Sequence, residues 1–210
     1  PNLESIVALS PDLVVVAYDA DGIVAALTTA GIPVLVQPAA ITFDDTYTQI
    51  SELGTATGQK AKAEELGAQM KADIDSAIAQ LPVEATNLSY YHELDDTLYS
   101  VTSTTFIGAV YALAGLTNIA DEATDAASGY PQLSAEFIVA ADPALIFLAD
   151  TKCCGQTAET LAQRPGFAEL SAVSSGNVVE LDDDIASRWG PRTVDFVKAV
   201  VEAVSKASAN

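Results

Sequence analysis

A motif that returns at a fixed spacing constrains this chain more than any other feature. Leu3-Glu4-Ser5-Ile6-Val7-Ala8-Leu9-Ser10-Pro11-Asp12-Leu13-Val14-Val15-Val16 reappears as Ala135-Glu136-Phe137-Ile138-Val139-Ala140-Ala141-Asp142-Pro143-Ala144-Leu145-Ile146-Phe147-Leu148. An offset of 132 residues (136 minus 4, and 143 minus 11) sets Glu on Glu, Ile on Ile, Val on Val, Ala on Ala and Pro on Pro. Each copy reads as a short helix stopped at an Asp/Pro corner and followed by an apolar, β-branched run. Such a run has the pattern of a strand buried on both faces of a parallel sheet. Two copies predict two similar α/β lobes with a crevice between them, and crevices of that kind bind ligands.

The order of the remaining signals divides the chain in three. Residues 1–58 form an N-terminal lobe: an Asn2-capped helix with Leu3, Ile6 and Val7 on its inner face, then a βαβ unit of a strand over Leu13 to Ala17, a helix over Ile23 to Ala30 closed by Gly31, and a strand over Pro33 to Gln37. Residues 59–82 form one long helix, with Leu66, Met70, Ile74, Ile78 and Leu81 as its apolar stripe and Pro82 as its stop. Between two α/β halves such a helix is a stiff connector. Residues 83–210 form the C-terminal lobe, ending in a helix that begins near Pro191 and buries Val194, Val197, Val201 and Val204. The chain opens on Pro1 directly before a helix cap, so the first lobe is expected to lack an opening strand and helix.

Composition narrows the function. The 210 residues are half hydrophobic, with 29 acidic against 9 basic side chains and a formal net charge of −20. So negative a surface repels nucleic acid and anionic lipid. No apolar stretch reaches membrane-spanning length. The two cysteines, Cys153 and Cys154, are neighbours, and with one His they cannot complete a four-ligand structural zinc site. They are either a vicinal disulfide, which fits an oxidising compartment, or two ordinary thiols.

Candidate functional residues gather where strands end. Tyr18 and Asp19 follow the first strand, Tyr91, His92 and Glu93 end another, Tyr130 precedes the second repeat, and Arg188, Trp189 and Arg192 follow the last strand. Together they predict a crevice wall of flat apolar faces with a few polar tips, suited to a large, partly apolar ligand. Glu4 and Glu136 each stand near a helix N-terminus, where a carboxylate is favoured by about 0.3–1 kcal/mol. Two of them at matched positions also suit a two-fold-symmetric basic partner. Catalytic signatures are absent: there is no Gly-x-Ser-x-Gly elbow, no P-loop and no Gly-x-Gly-x-x-Gly after a strand. No catalytic residue, metal ligand or cofactor is assigned.

These residues resemble a known family, the cobalamin, iron-siderophore and haem type of extracytoplasmic substrate-binding proteins of ABC importers. The resemblance rests on Asn2-Leu3-Glu4-Ser5-Ile6 with Pro11-Asp12-Leu13-Val14-Val15, Asp96-Thr97-Leu98-Tyr99-Ser100-Val101 running into Thr105-Phe106-Ile107-Gly108, and Leu113-Ala114-Gly115 with Asn118-Ile119. It continues through Tyr130-Pro131-Gln132-Leu133-Ser134-Ala135-Glu136, Asp142-Pro143 and Arg188-Trp189-Gly190-Pro191-Arg192. It implies two lobes joined by a rigid helix, and a monomeric, non-enzymatic receptor, periplasmic or lipid-anchored at the outer face of the cytoplasmic membrane. It also implies Glu4 and Glu136 as the lobe-tip acids that engage arginines of the permease. Tyr18, Tyr130 and the Tyr91–Glu93 and Arg188–Trp189 loops fall where the family lines its cleft. The family has a further strand-helix segment ahead of the Asn-Leu-Glu motif that this sequence does not contain.

The ligand stays open between a ferric siderophore, cobalamin and haem, the last with a Tyr or His92 as axial ligand. Two readings of other classes remain beside it. One is a small α/β enzyme using Glu93, Asp95 and Asp96; the other is an adhesion or sensor module built on the same fold.

Overall fold

The structure, a computed structural model, describes residues 1–82 and 87–209. The expected start of the second lobe at residue 83 lies outside them. The first lobe runs α1 (Leu3–Ala8), β1 (Val14–Val16), α2 (Ile23–Thr29), β2 (Val34–Val36) and α3 (Phe43–Ala56), followed by the connector α4 (Lys60–Ile78). The second runs β3 (Ser89–Glu93), α5 (Phe106–Leu113), β4 (Thr117–Asn118), α6 (Ala135–Ala141), β5 (Leu145–Leu148), α7 (Thr151–Cys154), α8 (Ala158–Ala162), α9 (Ser171–Ser174), β6 (Val178–Glu180), α10 (Asp183–Ala186) and α11 (Thr193–Ser208). Among the described residues the named strands pair in parallel, β1 with β2 in one sheet and β4-β3-β5-β6 in the other, beside one isolated antiparallel bridge between Tyr99 and Gln132.

The repeat is a repeat of geometry. Asn2 and Ser134 cap α1 and α6, accepting the amides of Ser5 and Phe137 at 2.8 and 3.1 Å. Both helices then end on a non-glycine residue with positive φ, Ser10 at 48° and Asp142 at 41°, each directly before the proline. Few residues tolerate that conformation, and proline cannot continue the helix, so the chain turns sharply into the strand in both lobes.

Burial separates the copies. β5 is flanked by β3 and β6, and all four of its residues are buried, as expected for a central parallel strand. Among the described residues β1 has only β2 beside it; Val14 and Val16 are half-buried and Val15 is exposed. The expected burial of that strand on both faces is therefore wrong for the first copy. The inner face expected of α1 is also open: Leu3 and Ile6 are half-buried, Val7 is exposed, and Leu9 just beyond the helix is 81% exposed. A two-stranded sheet supplies too little surface to cover them.

The connector is shorter than expected and turned differently. Met70 and Ile74 are buried with Ala63 and Ala77, whereas Leu66 is exposed and Ile78 and Leu81 are only partly covered. Small side chains point inward because α3 and α4 approach closely; a Cβ added at Gly54 of α3 would overlap the Cβ of Ala63. On its other side α4 packs against α11, whose Val194, Val197, Val201 and Val204 are buried together with Phe196 and Val200. One helix thus joins the core of the second lobe to the last helix of the first.

Candidate functional site

In a parallel sheet every strand delivers its carboxyl end to one rim, and the loops there form the binding edge. β3 continues to β4 on one side of the second sheet, while β5 continues to β6 on the other, so the crossovers diverge between β3 and β5. At that point the amide of Ala149 donates to the carbonyl of Glu93 at 2.9 Å.

Tyr91, His92 and Glu93, expected at a strand end on the crevice wall, are the last three residues of β3 but are fully buried. The central position of the strand leaves neither face to solvent, and the polar groups are paired inside except His92 Nε2, which is buried without a partner. Tyr91 donates its hydroxyl to Glu93 Oε2 at 3.1 Å. Arg164 clamps the Glu93 carboxylate with two bonds of 2.6 Å and gives a third to Gln156 at 2.9 Å. His92 Nδ1 lies 2.7 Å from the Tyr111 hydroxyl, and burial pulls the imidazole down to about 3, so it is neutral. An axial haem bond from His92 and catalysis by Glu93 both require accessible groups, and neither residue is one. Asp95 accepts the amide and hydroxyl of Thr97 as a turn residue, in keeping with its surface position.

Beside the clamp, Asp150 is fully buried and neither carboxyl oxygen has a hydrogen-bond partner. Burial, and then the charge of Glu93, push its carboxyl up to about 7. One turn further, Cys153 and Cys154 are bonded to each other. Asp183 anchors this turn, accepting the amides of Lys152 and Cys153 at 3.0 and 2.8 Å and the Thr151 hydroxyl at 3.0 Å. Burial raises the Asp183 carboxyl, but these donors outweigh it and hold it below its ordinary value. Lys152 Nζ reaches Asp182 at 2.7 Å and Asp184 at 3.7 Å.

Asp184, Arg188, Trp189 and Arg192 line a small hollow of about 190 Å3 with Gly190, Pro191 and Thr193. Arg188 lies 3.8 Å from Asp184 and is exposed, as is Arg192. Trp189 Nε1 donates to Gln49 Oε1 on α3 at 2.9 Å. Gln49 in turn donates to the carbonyl of Pro38, just past β2, at 2.7 Å and accepts from the side chain of Gln37 at 2.8 Å. The carboxyl rims of the two sheets therefore meet through Gln49 and Trp189.

The remaining expected residues sit on those rims. Tyr18 follows β1 and is 72% exposed, and its neighbour Asp19 caps α2 by accepting the Val24 amide at 2.9 Å. Tyr130 is 52% exposed; its neighbours Gly129 and Pro131 bond the amides of Thr102 and Ser100 in the loop leaving β3. Tyr99, on the same loop, is an exposed aromatic that sequence reasoning did not single out. Glu4 and Glu136 both occupy the second position of their helices, are exposed, and have no ion-pair partner among the described residues. Glu136 borders a hollow of about 530 Å3 floored by Leu98, Val139 and Phe167. Arg164, Gln49 and Asp150 were also not foreseen; only Arg164, one of three arginines in an acidic chain, carried any signal.

Residues 1–185 match the family model described as periplasmic binding protein. The chain is 30% identical over 97% of its length to an uncharacterised ABC transporter substrate-binding lipoprotein of Bacillus subtilis, covering 65% of that protein. It is 29% identical over 96% of its length to a cobalamin-binding protein of Halobacterium salinarum, covering 55% of it. The chain thus spans between about half and two thirds of the length of these relatives. Among solved structures, the apo haem-binding protein RhuT of Roseiflexus superposes with a TM-score of 0.82 at 24% identity, over 99% of this chain and 80% of that one. The vitamin B12-binding protein BtuF of Vibrio cholerae gives 0.76 at 24% identity, over 100% and 80%. At such identities these two structures establish the fold.

Proposed function

The chain belongs to the periplasmic binding protein family, and from that premise we propose that it is the extracytoplasmic substrate-binding component of an ABC importer. It captures a ferric siderophore or cobalamin between its lobes and presents it to a membrane permease. The observation that carries this reading is the meeting of two carboxyl rims at the Gln49–Trp189 bond, with Tyr18, Tyr130 and Trp189 exposed along them. Exposed aromatics on a rim supply the stacking surface that a large, partly apolar ligand needs. Relatives described as binding cobalamin and ferric citrate support the ligand class, and the relative described as a lipoprotein supports a place outside the cytoplasm, as does a disulfide.

The packed α4 rod argues for small lobe movements about a largely preformed cleft, with ligand biasing a modest closure. Release then needs an outside agent. Glu4 and Glu136, matched on the two lobes and without an ion-pair partner among the described residues, suit charge-assisted contacts with permease arginines. Calorimetric titration with cyanocobalamin, haemin and a panel of ferric siderophores tests the reading. One-to-one binding of an unchanged ligand supports it; chemical turnover of the ligand, or binding of none of them, counts against it.

A further inference from the structure

The reading above uses the Cys153–Cys154 disulfide only as a mark of an oxidising compartment, yet its surroundings are built. The amides of its turn from Lys152 to Gln156 are all engaged within the protein. The Lys152 and Cys153 amides and the Thr151 hydroxyl go to Asp183, the Cys154 and Gln156 amides to the carbonyl of Asp150, and the Gly155 amide to the carbonyl of Thr151. Lys152 is tied down to Asp182. What remains outward is the eight-membered disulfide ring, both of its residues exposed, on the carboxyl rim of β5. Asp182 to Asp184, which hold it, open the loop that carries Arg188 and Trp189. In a chain of net charge −20 this is a rigid, uncharged and polarisable patch on the rim that faces the other lobe.

We propose that the Cys153–Cys154 ring is a ligand-contacting platform of the cleft, taking the flat face of a conjugated macrocycle, and that its contact depends on the oxidised state. This rests on the binding-protein reading and adds to it the contact and its redox dependence. Sulfur against a π-system is favourable, and a ring whose backbone is already pinned loses no freedom when a ligand lands on it. Reduction by a dithiol breaks the S–S bond and adds two electrons and two protons to give two thiols, while the dithiol closes to its own disulfide. The two side chains then rotate independently and present S–H donors, so the platform is lost although Asp183 still holds the backbone.

The test begins with alkylation by iodoacetamide and mass measurement of the native protein, where no label is expected; two labels without prior reduction overturn the proposal. Trp189 fluorescence is then titrated with cyanocobalamin, protoporphyrin IX and ferric citrate. The proteins compared are the oxidised protein, protein reduced with dithiothreitol and desalted without air, and the Cys153→Ser/Cys154→Ser variant. The dissociation constant for the planar ligand rises roughly two- to tenfold in the last two forms, with ferric citrate affinity and thermal midpoint unchanged. Equal affinity in all three forms overturns the proposal, as does binding of ferric citrate alone. A parallel loss of affinity for every probe together with a lower midpoint assigns the disulfide a structural role and overturns it too. If the oxidised protein binds no probe at all, the binding-protein reading itself fails, which is a distinct result.

Discussion

Trp189 and Gln49 lie 140 residues apart in sequence and are joined by a hydrogen bond of 2.9 Å between their side chains. Gln49 is itself held by Pro38 and Gln37, so the bond ties the last loop of the second lobe to the end of β2 in the first. Gln49→Ala removes the tie without touching either core. The expected outcome is a loss of about 1 kcal/mol of stability and a red shift of Trp189 emission, read by denaturant titration and fluorescence.

The Arg164 clamp on Glu93 is a different kind of contact, because Glu93 is fully buried. Arg164→Met leaves that carboxylate without its cation and is expected to cost about 3–5 kcal/mol. Adding Glu93→Gln recovers much of the loss, since no charge is then stranded. Urea denaturation of the single and double variants checks this; equal stability of the Arg164→Met protein and the parent contradicts it.

Asp150 predicts a pH dependence of definite sign. Its folded value of about 7 stands above the ordinary 3.8. Between those values the folded protein keeps a proton that the unfolded chain has released, so this group makes stability fall as pH rises from about 4 to 7. Its cost is complete above 7 and absent below 4. Asp150→Asn is therefore expected to melt at a higher temperature than the parent at pH 8, with the gap closing toward pH 4.5. Asp45, Asp142, Asp182 and Asp183 are shifted the opposite way and are common to both proteins, so the difference in melting temperature isolates Asp150.

At the crossing of α3 and α4, Gly54→Ala drives a methyl group into Ala63. The expected cost is about 1–3 kcal/mol, partly relieved by Ala63→Gly. Thermal denaturation of the two single variants and the pair gives the coupling.

For the lobe tips, Glu4→Ala combined with Glu136→Ala is expected to leave ligand affinity intact and to abolish uptake in cells carrying the cognate permease. Loss of ligand binding in the purified double variant contradicts the docking role.

How far the fold was legible varies by element. The matched caps and proline corners of α1 and α6, and the valines of α11, are local signals, and each appears where the sequence put it. The half-exposed β1 was misread because its burial depends on how many strands lie beside it, which its own apolar run does not encode. Tyr91, His92 and Glu93 read as a strand end that opens onto the crevice; they are buried instead, with Arg164 and Tyr111, distant in sequence, pairing Glu93 and His92 Nδ1. In α4 a stripe of large residues was expected, yet Ala63 and Ala77 face inward, since close helix approach selects small side chains. Of the candidate site, Tyr18 is exposed just past β1, and Tyr130, Arg188, Trp189 and Arg192 are exposed in loops between helices, a position that element order can locate. Gln49 left no trace, because one glutamine on a helix looks like any other.

In the proposed binding mode ligand lies between the two rims, and Trp189, the single tryptophan, stands on one of them. Its fluorescence, titrated with cobalamin, haemin and ferric siderophores in the parent and in Tyr18→Ala, puts that claim to the question most directly. A saturable one-to-one quench by one of these ligands, weakened when the aromatic ring on the opposite lobe is removed, is the predicted result. Binding that leaves Trp189 emission unchanged, or that is indifferent to Tyr18, contradicts it.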